Sequence, residues 1–185
     1  MVRFPCYVLA GGKSSRFGSD KARAALGGEP LIRRVARAVD PVARAVTVVA
    51  ERADKYADLG LATIADVVPD RGPLGGVLTA LRHAGDEWVL VVTCDLVGFE
   101  PSWVETLAAA RSEARAIAFR SDRWQPFPGL YPAALRREAE AAVASEQLAM
   151  GRWLDAVGAR AHPLPADWPA LVQVNTREEL ERMGR

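Results

Sequence analysis

The chain has 185 residues, a length that fits one ordinary domain able to bury roughly 70% of its unfolded surface. Its 24 basic and 23 acidic residues nearly cancel, and aromatic residues make up only 7%, which argues against a nucleic-acid partner. Two cysteines are too few for a secreted disulfide scaffold, and no segment approaches the ~20 apolar residues of a membrane span. We therefore expect a cytoplasmic protein that needs no membrane.

Three short apolar runs, at 6–10, 45–50 and 88–93, predict buried strands. Each run is continuously apolar, which is typical of parallel strands covered on both faces. Amphipathic stretches of helical period lie between the strands, at 31–39 and at about 74–83. This alternation predicts βαβ crossovers and a three-layer, Rossmann-like α/β fold: an open, mostly parallel sheet with helices on both faces.

The second half of the chain is less regular. The expected elements are, in order, a helix from Pro101, a strand at 116–119, a loop or hairpin at 125–130, a helix at 132–144, a strand at 172–174 and a closing helix at 176–183. Thr176 and Glu179 form a capping-box pattern at the start of that last helix. With no internal repeat or linker, residues 1–185 are predicted to form a single domain.

The loop after the first predicted strand carries the strongest chemical signal. It combines glycines and serines with three cations, Lys13, Arg16 and Lys21. Glycines let the backbone approach an oxyanion closely, and the cations can neutralise phosphate oxygens. Because open sheets bind ligands at the carboxyl ends of their strands, phosphate binding is favoured over a solvated surface turn.

Spacing excludes two better-known phosphate loops. A P-loop would need a glycine at the position of Tyr7. The dinucleotide fingerprint needs Gly-x-Gly-x-x-Gly, which Gly11, Gly12 and Gly18 do not supply. The phosphate loop of this chain must therefore be of another kind.

Two further segments bring carboxylates to the same expected edge of the sheet. Asp66 and Asp70 precede a Gly-Pro turn that opens a helix at about Leu74. The third strand ends at Asp95, six residues before Pro101 and too early to cap the helix there. Since Mg²⁺ binds one or two carboxylates together with substrate phosphate oxygens, we expect Asp95 to be a magnesium ligand.

Residues 9–21, Leu-Ala-Gly-Gly-x-Ser-x-Arg-Phe-Gly-x-Asp-Lys, resemble the signature of the molybdenum cofactor guanylyltransferase family, with Phe17 in place of the usual methionine. The resemblance implies that Leu9, Ala10, Gly11 and Gly12 hold the nucleotide and that Lys21 contacts its phosphates. It also favours Asp66 over Asp70 for nucleotide recognition, and it agrees with Asp95 as the metal ligand.

Later segments resemble the same family in the same order. The Gln-Pro-x-x-Gly-Leu-Tyr stretch at 125–131 implies that Gln125 contacts the acceptor. Residues 173–176 resemble the family's Asn-x-Asn-Thr segment, with Gln173 in place of the first asparagine, so that Asn175 either binds the acceptor or caps the last helix. Glu51 stands where an asparagine is expected near the base, which leaves the choice of base open.

The resemblance implies the nucleotide-diphospho-sugar transferase type of fold, with a nucleotide-binding half at about 1–100 and an acceptor-binding half at about 101–185. The implied reaction transfers GMP from GTP to the phosphate of a molybdopterin-type acceptor, with Mg²⁺ as cofactor and Arg16, Lys21 and Asp95 as catalytic residues. Transient contact with other cofactor-biosynthesis proteins is also implied. The alternatives are a relative that uses CTP or a sugar or alcohol phosphate, and a non-catalytic nucleotide-binding adaptor.

Overall fold

A computed structural model of the chain describes residues 2–11, 20–85, 87–111, 115–169, 173–174 and 176–183. The strands in these ranges are β1 (Phe4–Leu9), β2 (Ala25–Leu26), β3 (Glu29–Pro30), β4 (Ala43–Ala50), β5 (Thr63–Ala65), β6 (Trp88–Thr93), β7 (Ile117–Arg120), β8 (Trp124–Pro132) and β9 (Arg160–His162). The α-helices are α1 (Leu31–Val39), α2 (Gly72–His83), α3 (Pro101–Ala109), α4 (Arg136–Ala144), α5 (Met150–Ala156) and α6 (Arg177–Met183).

Seven of these strands form one sheet in the order β5-β4-β1-β6-β8-β7-β9. β8 pairs antiparallel with β6 and with β7, whereas the other described pairings in this sheet are parallel. β2 and β3 form a separate antiparallel pair. The prediction of an open, mostly parallel sheet is confirmed.

Helices cover both faces of the sheet, which explains why its central strands are continuously apolar. On β1, Cys6 and Val8 pack into the cluster that contains the buried side chains of α1 and α3. Tyr7 and Leu9 point to the opposite face, into the cluster formed with α2, α4 and α5. Since successive strand residues face opposite sides, a strand between two helical layers needs an apolar residue at every position.

The order of the strands reverses beside β1. The chain passes from β1 through α1 to β4 on one side, and later returns through α2 to β6 on the other side. Leu9 is in register with Val49 of β4 and with Thr93 of β6, so these three strands end at the same level. Ligands of open α/β sheets bind in the crevice that such a reversal creates.

Most predicted elements are present, with ends that differ by a few residues. The stretch at 125–130 belongs to β8 and forms the hairpin alternative with β7. The predicted capping box is confirmed, because the Thr176 amide donates to Glu179 Oε2 at 3.0 Å and the Glu179 amide donates to Thr176 Oγ1 at 3.2 Å. Of the strand expected at 172–174, residue 172 lies outside the described residues and the other two are not in a strand.

The sequence did not predict β5, α5 or β9. β5 and β9 have three residues each, too few for a hydrophobic period to emerge. α5 has seven residues, and it is held by the burial of Met150, Trp153 and Leu154 at helical spacing. Tertiary packing rather than local sequence stabilises elements this short.

Two expectations drawn from the sequence concern membrane-spanning segments and disulfides. Within the described ranges, no helix is long and apolar enough to cross a membrane. Cys6 is buried in β1 and Cys94 follows β6, and both are free thiols.

Gly129 gives a test of the packing around β8. A Cβ atom there would collide with the Pro126 carbonyl oxygen and would lie 2.8 Å from Tyr131 Cε2, while the Tyr131 hydroxyl donates to that same carbonyl at 2.7 Å. We expect Gly129→Ala to lower the free energy of unfolding by about 1–3 kcal/mol in urea titrations, because the strand must shift to admit a methyl group.

Gly151→Ala in α5 is the matched control. A Cβ there would lie 3.6 Å from Trp124 Cδ1, an ordinary contact, so this variant is expected to be neutral or up to about 1 kcal/mol more stable. Equal stability of the two variants would contradict the packing described for Gly129.

Candidate functional site

A cleft of about 750 Å³ opens at the carboxyl edge of the sheet, where the strand order reverses. Four strands end at its wall: β1, β4, β5 and β6. The lining residues at the ends of these strands or just after them are Leu9, Ala10, Gly11, Val49, Glu51, Asp66, Thr93, Cys94 and Asp95. The turn at Lys21 and the start of α2 complete the lining.

Backbone hydrogen bonds continue the sheet past the ends of these strands. The Ala10 amide donates to the Val49 carbonyl at 2.9 Å, and the Cys94 amide donates to the Leu9 carbonyl at 3.0 Å. The Asp66 amide donates to the Ala50 carbonyl at 2.7 Å. Ala10, Cys94 and Asp66 are therefore fixed to the sheet rather than carried by independent loops.

Lys21 and Asp95 form an ion pair in this cleft. The distance from Lys21 Nζ to Asp95 Oδ2 is 2.5 Å, and their side chains are only 15% and 16% exposed. Lys21 begins a 3-10 turn, and Asp95 directly follows the Thr93-Cys94 end of β6, so the pair joins two segments that are distant in sequence. The sequence predicted both residues as site residues, and the structure brings them together.

Sequence reasoning missed that Thr93 holds Asp95 and that Gln173 in turn holds Thr93. The Thr93 hydroxyl donates to Asp95 Oδ1 at 2.5 Å, and Gln173 Nε2 donates to the Thr93 hydroxyl oxygen at 3.2 Å. The Val174 amide donates to the Asp95 carbonyl at 3.1 Å. Thr93 could have been identified from the sequence, because it stands at the end of a predicted strand, two residues before a candidate metal ligand.

Asp66 and Asp70, the two alternatives left open by the sequence, both line the cleft. Asp66 is half-buried, and its Oδ1 accepts from the Thr79 hydroxyl at 2.7 Å and from the Val68 amide at 3.1 Å. Asp70 is exposed and has a φ of 61°, in the left-handed region. Asp66 is thus held in one orientation by α2, whereas Asp70 lies on an exposed turn.

Glu51 lines the cleft directly after β4, with its side chain 58% exposed. Its Oε2 atom lies 2.9 Å from Lys55 Nζ, and the same ammonium lies 3.3 Å from Asp20 Oδ2. A carboxylate in this position therefore has a fixed cationic neighbour.

Of the remaining predicted site residues, only Gln125 is among the described residues. Gln125 lies near the start of β8, where it pairs with Phe119, and it does not line the cleft. Gly12, Arg16 and Asn175 lie outside the described residues.

Among the described residues that line the cleft, the carboxylates are the candidate proton acceptors. Burial raises the pKa of the Cys94 thiol to about 12, and the negative charge of Asp95 adds to the shift, so the thiol is protonated at neutral pH. No histidine is among the described residues that line the cleft. Lys21 and the carboxylates of the cleft suit the neutralisation of phosphate and cation charges.

The chain is thus an open α/β sheet with a cleft at the reversal of its strand order, the place where such folds bind ligands. A solved structure of similar fold is that of molybdopterin-guanine dinucleotide biosynthesis protein A from Archaeoglobus fulgidus, with a TM-score of 0.83, 22% identity, and coverage of 97% of this chain and 96% of that one.

The family follows from the sequence comparisons. The profile of the MobA-like NTP transferase domain matches residues 6–163. The molybdenum cofactor guanylyltransferase of Serratia proteamaculans is 34% identical over 183 residues, which span 95% of this chain and 91% of that protein. A probable molybdenum cofactor guanylyltransferase of Aquifex aeolicus is 30% identical over 96% of this chain and 89% of its own length. The chain belongs to the MobA-like NTP transferase family.

Thr79 tests how Asp66 is held. This hydroxyl is 1% exposed, contacts Asp66, and accepts from the Val67 amide at 3.0 Å. We expect Thr79→Val to lower the free energy of unfolding by about 1–3 kcal/mol, since it removes a hydrogen bond to the Asp66 carboxylate and takes the acceptor from the Val67 amide, both partly buried.

Thr106→Val in α3 is the matched control. The Thr106 hydroxyl contacts only the preceding helical turn, at the Ser102 carbonyl, and its loss is expected to change stability by less than about 0.5 kcal/mol. A Thr79→Val protein as stable in urea as the Thr106→Val protein would rule out a structural role for the Thr79 hydroxyl.

Proposed function

We propose that the chain transfers GMP from GTP to the phosphate of molybdenum-molybdopterin and releases pyrophosphate. The observation that carries this proposal is the Lys21–Asp95 ion pair, which lies in the cleft beside the backbone of Leu9, Ala10 and Gly11. The names of the relatives in two bacterial species support the choice of nucleotide and acceptor.

Lys21 and the β1 backbone form the proposed phosphate end of the cleft. A lysine ammonium carries three donors and a localised charge, which suits it to the oxygens of the leaving pyrophosphate. A Cβ atom at Gly11 would meet no atom of the described residues within 4 Å, which leaves room there for a phosphate to approach the backbone. From the family signature, Gly12 and Arg16 are proposed to bind the same triphosphate.

Asp95 fits a magnesium site of the kind that is completed by substrate. The ligand atoms of Asp95 are carboxylate oxygens, which Mg²⁺ prefers. The described residues contain no group of three or more histidine, cysteine, aspartate or glutamate side chains that could hold a metal. Such a site requires phosphate oxygens as the remaining ligands. When bound there, Mg²⁺ would neutralise charge on the nucleotide phosphates.

Glu51 and Asp66 form the proposed base end. Guanine presents two adjacent donors, N1–H and the exocyclic amine, and one carboxylate can accept from both. Cytosine presents one donor beside an acceptor, which a carboxylate matches less well. Glu51, placed at the end of β4, therefore favours GTP over CTP.

The proposed chemistry needs no base from the protein. An oxygen of the acceptor phosphate attacks the α-phosphorus in line, a new P–O bond forms, and the bond to the β-phosphate bridging oxygen breaks as pyrophosphate leaves. Because the attacking phosphate is already ionised at neutral pH, catalysis rests on positioning and charge neutralisation by Lys21, Arg16 and Asp95.

The acceptor end is proposed from the family resemblance and from one contact. The Val174 amide donates to the Asp95 carbonyl, which supports an acceptor site near this segment, and the family motif assigns Asn175 to it. Gln125 is proposed as a second acceptor contact. We also infer a cytoplasmic location and transient contact with other proteins that make or receive the cofactor.

Pyrophosphate release in the presence of Mg²⁺ and molybdenum-molybdopterin tests the activity. We expect release with GTP and little with CTP, UTP or ATP. Release with CTP alone would identify a cytidylyltransferase instead, and no release with any nucleotide would indicate a non-catalytic binding protein.

Variants of the ion pair test the site assignment. We expect Lys21→Met and Asp95→Asn each to lower kcat with GTP by about 100-fold or more, since each removes a group that balances charge in the transition state. Asp122→Asn is the matched control, because Asp122 is exposed in the turn between β7 and β8. Activity close to that of the native chain in either cleft variant would remove that residue from the mechanism.

A further inference from the structure

The segment that follows β4 is held against the turn that carries Lys21. Tyr56 donates its hydroxyl hydrogen to Asp20 Oδ2 at 3.1 Å, and Lys55 Nζ lies 3.3 Å from the same oxygen. The Asp20 Oδ1 atom accepts from the Ala22 amide at 3.1 Å, which caps the turn beginning at Lys21. We call Asp20, Lys55 and Tyr56 the brace.

The brace is not a solvated surface contact. Tyr56 is 0% exposed, and the side chains of Lys55 and Asp20 are 16% and 26% exposed. Burial raises the pKa of the Tyr56 hydroxyl, and the negative charge of Asp20 raises it further, so the phenol remains protonated at neutral pH and donates. Hydrogen bonds to charged groups in such surroundings are stronger than those at the surface.

Two cations lie close to the Tyr56 ring. Lys55 Nζ lies 5.3 Å from the ring centroid, and the Arg23 guanidinium lies 5.2 Å from it. Arg23 also makes two hydrogen bonds to Asp58, at 2.8 and 2.9 Å. The turn at Lys21–Arg23 is therefore fixed to the segment after β4 at both of its ends.

Lys55 connects this turn to the base end of the cleft. Its ammonium lies 2.9 Å from Glu51 Oε2 as well as 3.3 Å from Asp20 Oδ2. The sequence contains 24 basic residues but only three lysines, Lys13, Lys21 and Lys55. A compact ammonium with three donors suits a bridge between two carboxylates better than a planar guanidinium.

We propose that the brace couples recognition of the base to the placement of Lys21, with Lys55 and Tyr56 as positioning residues. The inference rests on the proposed function for the identity of the two ends of the nucleotide. Lys55 sets the position and charge balance of Glu51 and, through Asp20, the position of the adjacent Lys21. Tyr56 acts on the Asp20 side alone.

The two side chains should therefore have different kinetic effects. Tyr56→Phe keeps the ring and removes the hydroxyl, so kcat with GTP falls on the order of tenfold while the preference for GTP over inosine triphosphate, which lacks the exocyclic amine, is retained. Lys55→Met lowers kcat in the same way and also weakens that preference. Lys55→Arg keeps the charge, so it retains more of kcat and more of the preference for GTP than Lys55→Met does.

Amine labelling provides a readout that does not depend on activity. The chain has only three lysines, so labelling at Lys21 can be quantified by mass spectrometry. Tyr56→Phe is expected to increase the labelling rate of Lys21 several-fold, because the turn is no longer held in its paired geometry. Tyr131→Phe is the matched control, since its buried hydroxyl donates to the Pro126 carbonyl away from the brace.

The result that would overturn the coupling is unchanged kcat and unchanged Lys21 labelling in the Tyr56→Phe and Lys55→Met proteins. An equal rise in Lys21 labelling in the Tyr131→Phe protein would also overturn it, because the effect would then be general loosening. If the native chain turned over no nucleotide, the proposed function would fail, and the labelling rates would still decide whether the brace positions Lys21.

Discussion

The ion pair between Lys21 and Asp95 is the interaction on which the cleft depends. It joins a turn near the start of the chain to the end of β6, and both side chains are largely withdrawn from water. A charge in such a place is stable only with a partner, so each residue fixes the other in the absence of ligand. In the proposed reaction the same two charges act on the nucleotide phosphates and on magnesium, so the pair keeps the site assembled before substrate arrives.

The sheet provides the edge at which this ion pair forms. β1 lies between β4 and β6, and the three strands end in register, so the residues that follow them meet at one edge. Contacts beyond the strand ends then refine the site. Thr79 holds Asp66 from α2, Thr93 holds Asp95 and is itself held by Gln173, and the brace holds the turn at Lys21.

The sequence predicted what depends on local pattern. Continuous apolar runs indicated strands covered on both faces, and the strand ending at Asp95 indicated a carboxylate at the ligand-binding edge. It could not predict the contact of Tyr56 with Asp20 or of Gln173 with Thr93, since these pairs are 36 and 80 residues apart and depend on the folded chain. Gln125 was assigned to the acceptor from a motif, and its position on β8, away from the lining of the cleft, depends on strand pairing that the motif does not encode.

The central claim is that Lys21 lies at the phosphate end of a guanine nucleotide site, and calorimetric titration of two ligands tests it most directly. In the presence of Mg²⁺, Lys21→Met should weaken GTP binding by about 10- to 100-fold, the effect of one lost charged hydrogen bond, and should leave the affinity for guanosine unchanged. GTP binding as tight as that of the native chain, or an equal loss for guanosine, would contradict the account.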